Sequence, residues 1–439
     1  MPVNDTGRAG LRWHPLALEP RVAGEAALQS PQLRVLSDAG VPLADGARSP
    51  RDHALLLLQT AAEVEHALMV QYLYLAMSVA DEAVQQEIVQ IAIEEMAHLG
   101  TVQNLLLLIG GPAALHLQRD LVRLDSEHNA LPLVLEPLDR VSLAKYAVVE
   151  APETPPPELR AKVAELQAIA RESAGVSPNR VGAIYAMLEW LFSDAGPAQA
   201  LVDLKSLLPP GSLPAQPHLT DADLQAEAVV AAHEMLPDEW GDDNEAYLLE
   251  TVRTRAQAVL AIRRVGAQGE GAEAGADSHF LRFMTLVERF EAGAIATLAL
   301  PRSPMIDGNG GEQPTPLRRE HTIKWARVFN LQYSLIVLGI HHAVRLPRSD
   351  AEQAELRQDL AELTMVAMRT ALLAVATLIM TLPVADGEPA LAGPPFELNP
   401  DHLPSDLAAL PAIQLQLLNE AEGLYQAIET DPVFAANGD

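Results

Sequence analysis

Residues 61–80, AAEVEHALMVQYLYLAMSVA, and residues 87–111, EIVQIAIEEMAHLGTVQNLLLLIGG, decide the fold. Each is a long apolar run with spacings of three and four, and the charged turn at Asp81 and Glu82 separates them, so the two read as an antiparallel helix pair. In the first run Glu65, Met69, Tyr72 and Ala76 fall on one row, which sets a carboxylate where the helix otherwise faces its core. The second run repeats the oddity, because Ile91, Glu95, His98, Val102 and Leu105 share a stripe.

A glutamate and a histidine three residues apart on a helix can grip one metal ion, and di-iron or di-manganese bundles set such pairs opposite single glutamates. Burying unpaired charge is costly, and a divalent cation would compensate a buried Glu65/Glu95/His98 cluster. The competing reading is a Glu95–His98 hydrogen bond with no ion. Glu63, Glu94 and His66 lie off the central stripe, where solvated, ligand-orienting or helix-pairing roles are expected.

The chain as a whole sets the limits. Its 439 residues are enough to bury a large core, and with 49% apolar but only 4% aromatic residues that core is built from Leu, Ala, Val and Ile, a composition that leans towards helix. Fifty-nine acidic residues against thirty basic ones give a net charge of -29, which repels nucleic acid and anionic membrane. The absence of cysteine excludes disulfides, thiolate catalysis and Cys-ligated metal sites, so any metal must use Glu, Asp, His or water. MPVNDTGRAG has no basic-then-apolar targeting pattern and the apolar run 371–382 is short for a bilayer, so a cytoplasmic location without membrane contact is expected.

The expected fold class is all-α. Residues 1–50 read as an N-terminal arm; a helical, metal-binding domain spans 51–300, and a C-terminal helical extension packed on it spans 301–439. Four core helices are predicted over 52–80, 83–109, 179–194 and 278–298, with further helices over 322–346 and 353–382. Glu189 shares a face with Tyr185 and Phe192 on the third helix and is a candidate further ligand. HEMLPDEW at 233–240 is no zinc-protease motif, since Pro237 stands where the second histidine belongs. A helix over 245–265 carries Arg253, Arg255, Arg263 and Arg264, which neutralise local carboxylates or attract an anionic substrate. Beyond it a glycine-rich loop (Gly266, Gly269, Gly271, Gly275) holds Glu270, and His279 opens the fourth helix; a bound metal would explain both. His341 and His342 read as helix-end histidines.

EVEHALMVQYLYLAMS, EMAHL with the following Asn104, the QGEG loop, SHFLRF and the late AGPPFEL at 392–398 together resemble the ferritin-like, iminophenyl-pyruvate dimer synthase-type domain, over roughly 50–300 and again near 392. The resemblance implies a ferritin-like four-helix bundle, with Glu65, Glu95 and His98 on the first helix pair and Glu270 and His279 at the glycine loop and fourth helix as metal ligands. It implies one or two iron ions, with manganese as the alternative, and dioxygen or peroxide as co-substrate. The implied activity is a non-haem oxidoreductase that couples or oxidises amino-acid-derived, anionic aromatic imines; a homodimer is allowed. Where that family has Ile-Gly-Glu-Phe-Tyr, this chain has Val181, Gly182, Ala183, Ile184 and Tyr185, without the carboxylate. That departure keeps open a catalytically inactive binding or structural protein.

Overall fold

The computed structural model describes residues 10–16, 31–44, 46–118, 133–152, 154–174, 180–193, 204–240, 248–270, 278–306, 314–404 and 406–430. Among them, short strands β1 (Leu11–His14) and β2 (Val41–Ala44) pair antiparallel, with α1 (Pro31–Ala39) between them in sequence. The core pair follows as α2 (Pro50–Met77) and α3 (Glu82–Gly110). Pro50 fits the first turn of α2 because its missing N–H would be unpaired there, and Ser49 and Asp52 close a capping box around it. Asp81 caps α3 by accepting from Val84 N at 3.1 Å, and Gly111, at φ 74°, ends it before Pro112. Both helices are buried almost all round, as helices enclosed by other helices must be.

Around this pair stand α4 (Arg140–Val149), α5 (Arg160–Ala174), α6 (Arg180–Phe192), α7 (Arg255–Glu270) and α8 (His279–Glu291). Helix α6 packs on α2 and α7, and α4 packs on α8. The predicted order of core helices is therefore observed, with two corrections of extent. Helix α8 stops at Glu291 rather than 298: Gly293 turns at φ 68°, and the following residues run extended so that Ala296 O and Leu298 N satisfy Ala80 N and Ser78 O at 2.9 and 2.7 Å. Helix α7 starts at Arg255, and it continues through Gly266 and Gly269 to Glu270 where a loop is expected.

The C-terminal part adds α9 (Glu320–Ala343), α10 (Ala351–Ala367, continued by a π turn at Met368–Leu372 and helix Leu373–Ile379) and α11 (Leu410–Glu429). Helices α10 and α11 both pack on α9. Gly339 brings α9 close to α10, since a Cβ there would lie 2.5 Å from Thr364 Oγ1. One contiguous core runs from Leu11 to Ile428. Among the described residues one helix, Ala351–Ile379, is long and apolar enough to cross a membrane by length and composition, beyond the run at 371–382 that the sequence singles out; it lies along α9 with one face buried.

Candidate metal centre

Five side chains that can ligate a metal meet between α2, α3, the end of α4 and the start of α8. Glu65, Glu95 and His98 form one group; Glu95, Glu150 and His279 form a second; in each, one ligand atom per residue lies within 4.8 Å of the others. All five residues are buried. Glu95 belongs to both groups and faces them with different oxygens: Oε2 is 2.9 Å from His98 Nδ1, and Oε1 is 2.9 Å from His279 Nδ1.

The two histidines are held in the same way. His98 Nε2 donates to Gln268 Oε1 at 2.8 Å, and His279 Nε2 donates to Glu94 Oε2 at 2.7 Å. Each outer contact fixes the tautomer and turns Nδ1 inward, the arrangement metal-binding histidines need. Arg282 Nη1 donates to the same Glu94 oxygen at 2.8 Å. Burial opposes the charge on Glu94, but His279 and Arg282 outweigh it and hold the carboxyl below its usual range.

The carboxylates are supported too. Tyr185 OH donates to Glu65 Oε1, and Tyr72 OH donates to Glu150 Oε1 at 2.5 Å. Tyr72 packs edge-on against Tyr146 and lies 5.0 Å, ring to ring, from Phe283. Burial pushes the Glu65 carboxyl up to about 8, and Glu95 adds to the rise against the hydrogen bond with His98. Burial also raises Glu95, but the two imidazoles prevail and hold it well below the carboxylate range. Burial lowers His98, yet Glu95 and Glu65 outweigh it and hold the imidazole up at about 10. Three acids so close together cannot all carry charge without cations beside them.

A metal fits this donor set. His279 Nδ1 is buried, stands 2.9 Å from one carboxylate oxygen and 3.7 Å from another, and makes no hydrogen bond. A cation between it, Glu95 and Glu150 would satisfy that atom. Glu150 sits at the C-terminal cap of α4, the end of a helix where the macrodipole disfavours an anion, so its position also calls for a positive partner. Carboxylates and imidazoles without thiolate suit iron or manganese.

Of the residues singled out in the sequence, Glu65, Glu95, His98 and His279 come together. Glu189 joins neither group: one turn beyond Tyr185 on α6, it accepts from Arg263 Nε at 2.7 Å, and that cation takes its charge. Glu270 is the last residue of α7; its side chain and residues 271–277 lie outside the described residues. Two other residues of the QGEG motif touch the centre. Gln268 orients His98, and Gly269 makes room for Glu150, whose Oε2 would lie 2.8 Å from a Cβ at that position. The other arginines also pair locally, Arg253 with Glu234, Arg264 with Glu250 and Arg255 with Asp221, so this basic cluster balances carboxylates. Glu63 and His66 serve helix packing, through His116 at 2.6 Å and through Tyr333 OH at 2.5 Å. His341 bonds Pro404 O and His342 bonds Gln414, both within the packing of α9.

Glu150 is the ligand candidate that sequence reading misses. Its signal is the one that exposes Glu65: in LAKYAVVE, Leu143, Tyr146 and Glu150 follow at three and four, a carboxylate in line with an apolar stripe.

The chain is 26% identical to dichlorochromopyrrolate synthase of Lentzea aerocolonigenes over 463 residues, an alignment that covers 90% of this chain and 42% of the relative. It thus spans less than half the length of that curated relative. No solved structure matches the chain. The ferritin-like family profile matches residues 58–288, more than half of the sequence and all five residues of the two groups, and the chain belongs to the ferritin-like family.

Proposed function

We propose that the protein is a non-haem iron-dependent oxidoreductase acting on a small amino-acid-derived imine or related aromatic substrate by oxidative coupling. The observation that carries this reading is the sharing of Glu95 between two buried triads, Glu65/Glu95/His98 and Glu95/Glu150/His279, whose side chains would hold one or two iron ions. That arrangement answers the missing carboxylate at Ala183, because Glu150 offers one from α4. Iron bound there would supply electron transfer between the organic substrate and dioxygen or peroxide; manganese is the alternative ion.

The chain's own residues have separate tasks. Glu65, Glu95 and Glu150 provide charge, and the two Nδ1 atoms provide neutral donors once their protons leave. Gln268 and Glu94 keep those rings turned inward. The phenols of Tyr185 and Tyr72 donate hydrogen bonds to Glu65 and Glu150 and keep their protons, because burial and the carboxylates beside them push both phenols well above their usual range. Burial of all five side chains excludes bulk water. In this reading residues 51–300 are the metal-binding unit, 1–50 an arm and 301–439 an extension. The imine substrate class rests on the motif resemblance and on the relative, whose name describes the making of a dichlorochromopyrrolate.

Protein grown with added iron is expected to carry about two ions per chain, and Glu95→Ala is expected to lose both, measured by elemental analysis. Negligible metal in both proteins rejects the centre. With iron restored anaerobically, admission of oxygen in the presence of imines generated from aromatic amino acids should give oxygen uptake and coupled products by mass. Bound iron with neither uptake nor product across that panel favours the binding-protein reading.

A further inference from the structure

Helix α10 and its continuation carry an apolar stripe on the side turned away from α9. Four of the ten exposed large apolar side chains among the described residues lie on it: Leu356 at 43%, Leu363 at 68%, Val366 at 59% and Leu373 at 45% exposure. Asp359, Thr370 and Thr377 complete the row at spacings of three and four and are exposed as well. Thr370 and Thr377 donate their hydroxyls to Val366 O and Leu373 O at 2.7 and 2.9 Å, which leaves the row without their polar hydrogens. The π turn at Met368–Leu372 falls inside the row, yet Leu373 and Thr377 stay on the outer side. Only 28% of the most apolar window of this helix is buried, so most of its surface is not core.

A row with a heptad spacing is the seam of a helix pair. Its charges specify what the partner must be. Glu352, Glu355, Asp359 and Glu362 all lie in the first half, and from 363 to 385 the one charged residue is Arg369. A parallel copy would set acids against acids, whereas an antiparallel copy sets each acidic half beside a half that carries only Arg369. We propose that α10 is the interface of a two-fold symmetric dimer, in which Leu356, Leu363, Val366 and Leu373 meet the same row of a second copy running antiparallel. In that register Leu356 lies opposite Leu373 of the second copy and Leu363 opposite Val366, and Glu362 and Arg369, seven residues apart on the same flank, pair across the seam twice by symmetry. The same four acids disfavour the other occupant of an apolar helix face, an anionic lipid surface.

Sedimentation velocity of the full chain at tens of micromolar tests this. The wild type is expected to sediment at twice 47.2 kDa and Leu363→Glu at 47.2 kDa, with helix content unchanged by circular dichroism. Arg369→Glu should weaken association by about tenfold or more, and Glu362→Arg combined with Arg369→Glu should restore it. A monomeric wild type, or a dimer indifferent to Leu363→Glu, overturns the interface. Failure of the double variant to restore what Arg369→Glu loses overturns the antiparallel register. Flotation with neutral phosphatidylcholine vesicles gives the remaining outcome: monomeric protein that floats and is released by Leu363→Glu assigns the face to membrane and overturns the proposal.

Discussion

Glu150 and Gly269 are a matched pair. The carboxylate enters from the end of α4, and it reaches His279 only because α7 offers a bare backbone at Gly269. Gly269→Ala is therefore expected to displace Glu150 while leaving Glu65 and His98 in place, so bound metal should fall from about two ions per chain to about one. Glu150→Gln, which keeps the volume and removes the charge, should show the same loss by elemental analysis with an unchanged circular dichroism spectrum. Retention of both ions in Glu150→Gln would show that Glu150 is no ligand. Tyr185→Phe acts differently. It leaves Glu65 without its phenol donor, and a loss of roughly 1–3 kcal/mol in urea unfolding is expected for the metal-free protein.

Helices and loops are joined by a few polar clamps and buried rings. Asn104 on α3 donates to Met235 O and Glu250 O at 2.9 Å each and accepts from Met235 N at 2.7 Å, so one side chain fixes two separate loop segments to the central helix. Asn104→Ala leaves those three backbone groups unpaired and should cost about 3 kcal/mol in urea unfolding; a change within experimental error would mean that water replaces the amide. The late AGPPFEL motif docks on α9. Phe396 adopts φ 50°, which a non-glycine residue rarely does, and its ring packs edge-on against Phe329 and Tyr333 at 4.8 and 5.4 Å. Asn330 secures the next residue through Glu397 N and Oε2. The ring contacts thus hold a strained backbone, and Phe396→Ala should destabilise by about 3–5 kcal/mol, read as a shift of the unfolding midpoint.

Over the whole molecule, buried neutral histidines set the response to acid. Burial lowers His53 to about 4, against the raising effect of its bond to Pro42, and burial with the nearby Arg345 lowers His341 to about 3. The unfolded chain takes these protons near 6.5. Their contribution to stability is thus complete above pH 6.5 and is lost as pH falls through that value towards the folded pKa, because the unfolded state gains protons first. Each histidine should remove about 2 kcal/mol between pH 7 and pH 5. Urea unfolding of His53→Gln and His341→Gln at the two pH values checks this: each variant should lose less stability on acidification than the wild type, and equal slopes would mean that these rings are protonated in the fold.

The helix pair, the order of the core helices and half of the candidate centre are legible in the chain alone, because Glu65, Glu95 and His98 interrupt apolar stripes whose period is local. His279 was legible as the first residue of a capped helix. Which carboxylate meets it depends on how the helices pack. Glu150 comes from a short helix more than a hundred residues earlier in the chain, and Glu189, equally well placed in sequence, turns to Arg263 because α6 packs on α7. The glycines at 266 and 269 read as a loop since glycine weakens a helix, yet the helix continues through both, and at Gly269 close packing against Glu150 selects glycine for its missing side chain. Period and capping belong to a segment and can be read from it; the choice of partner depends on which helices share a face, and folding decides that.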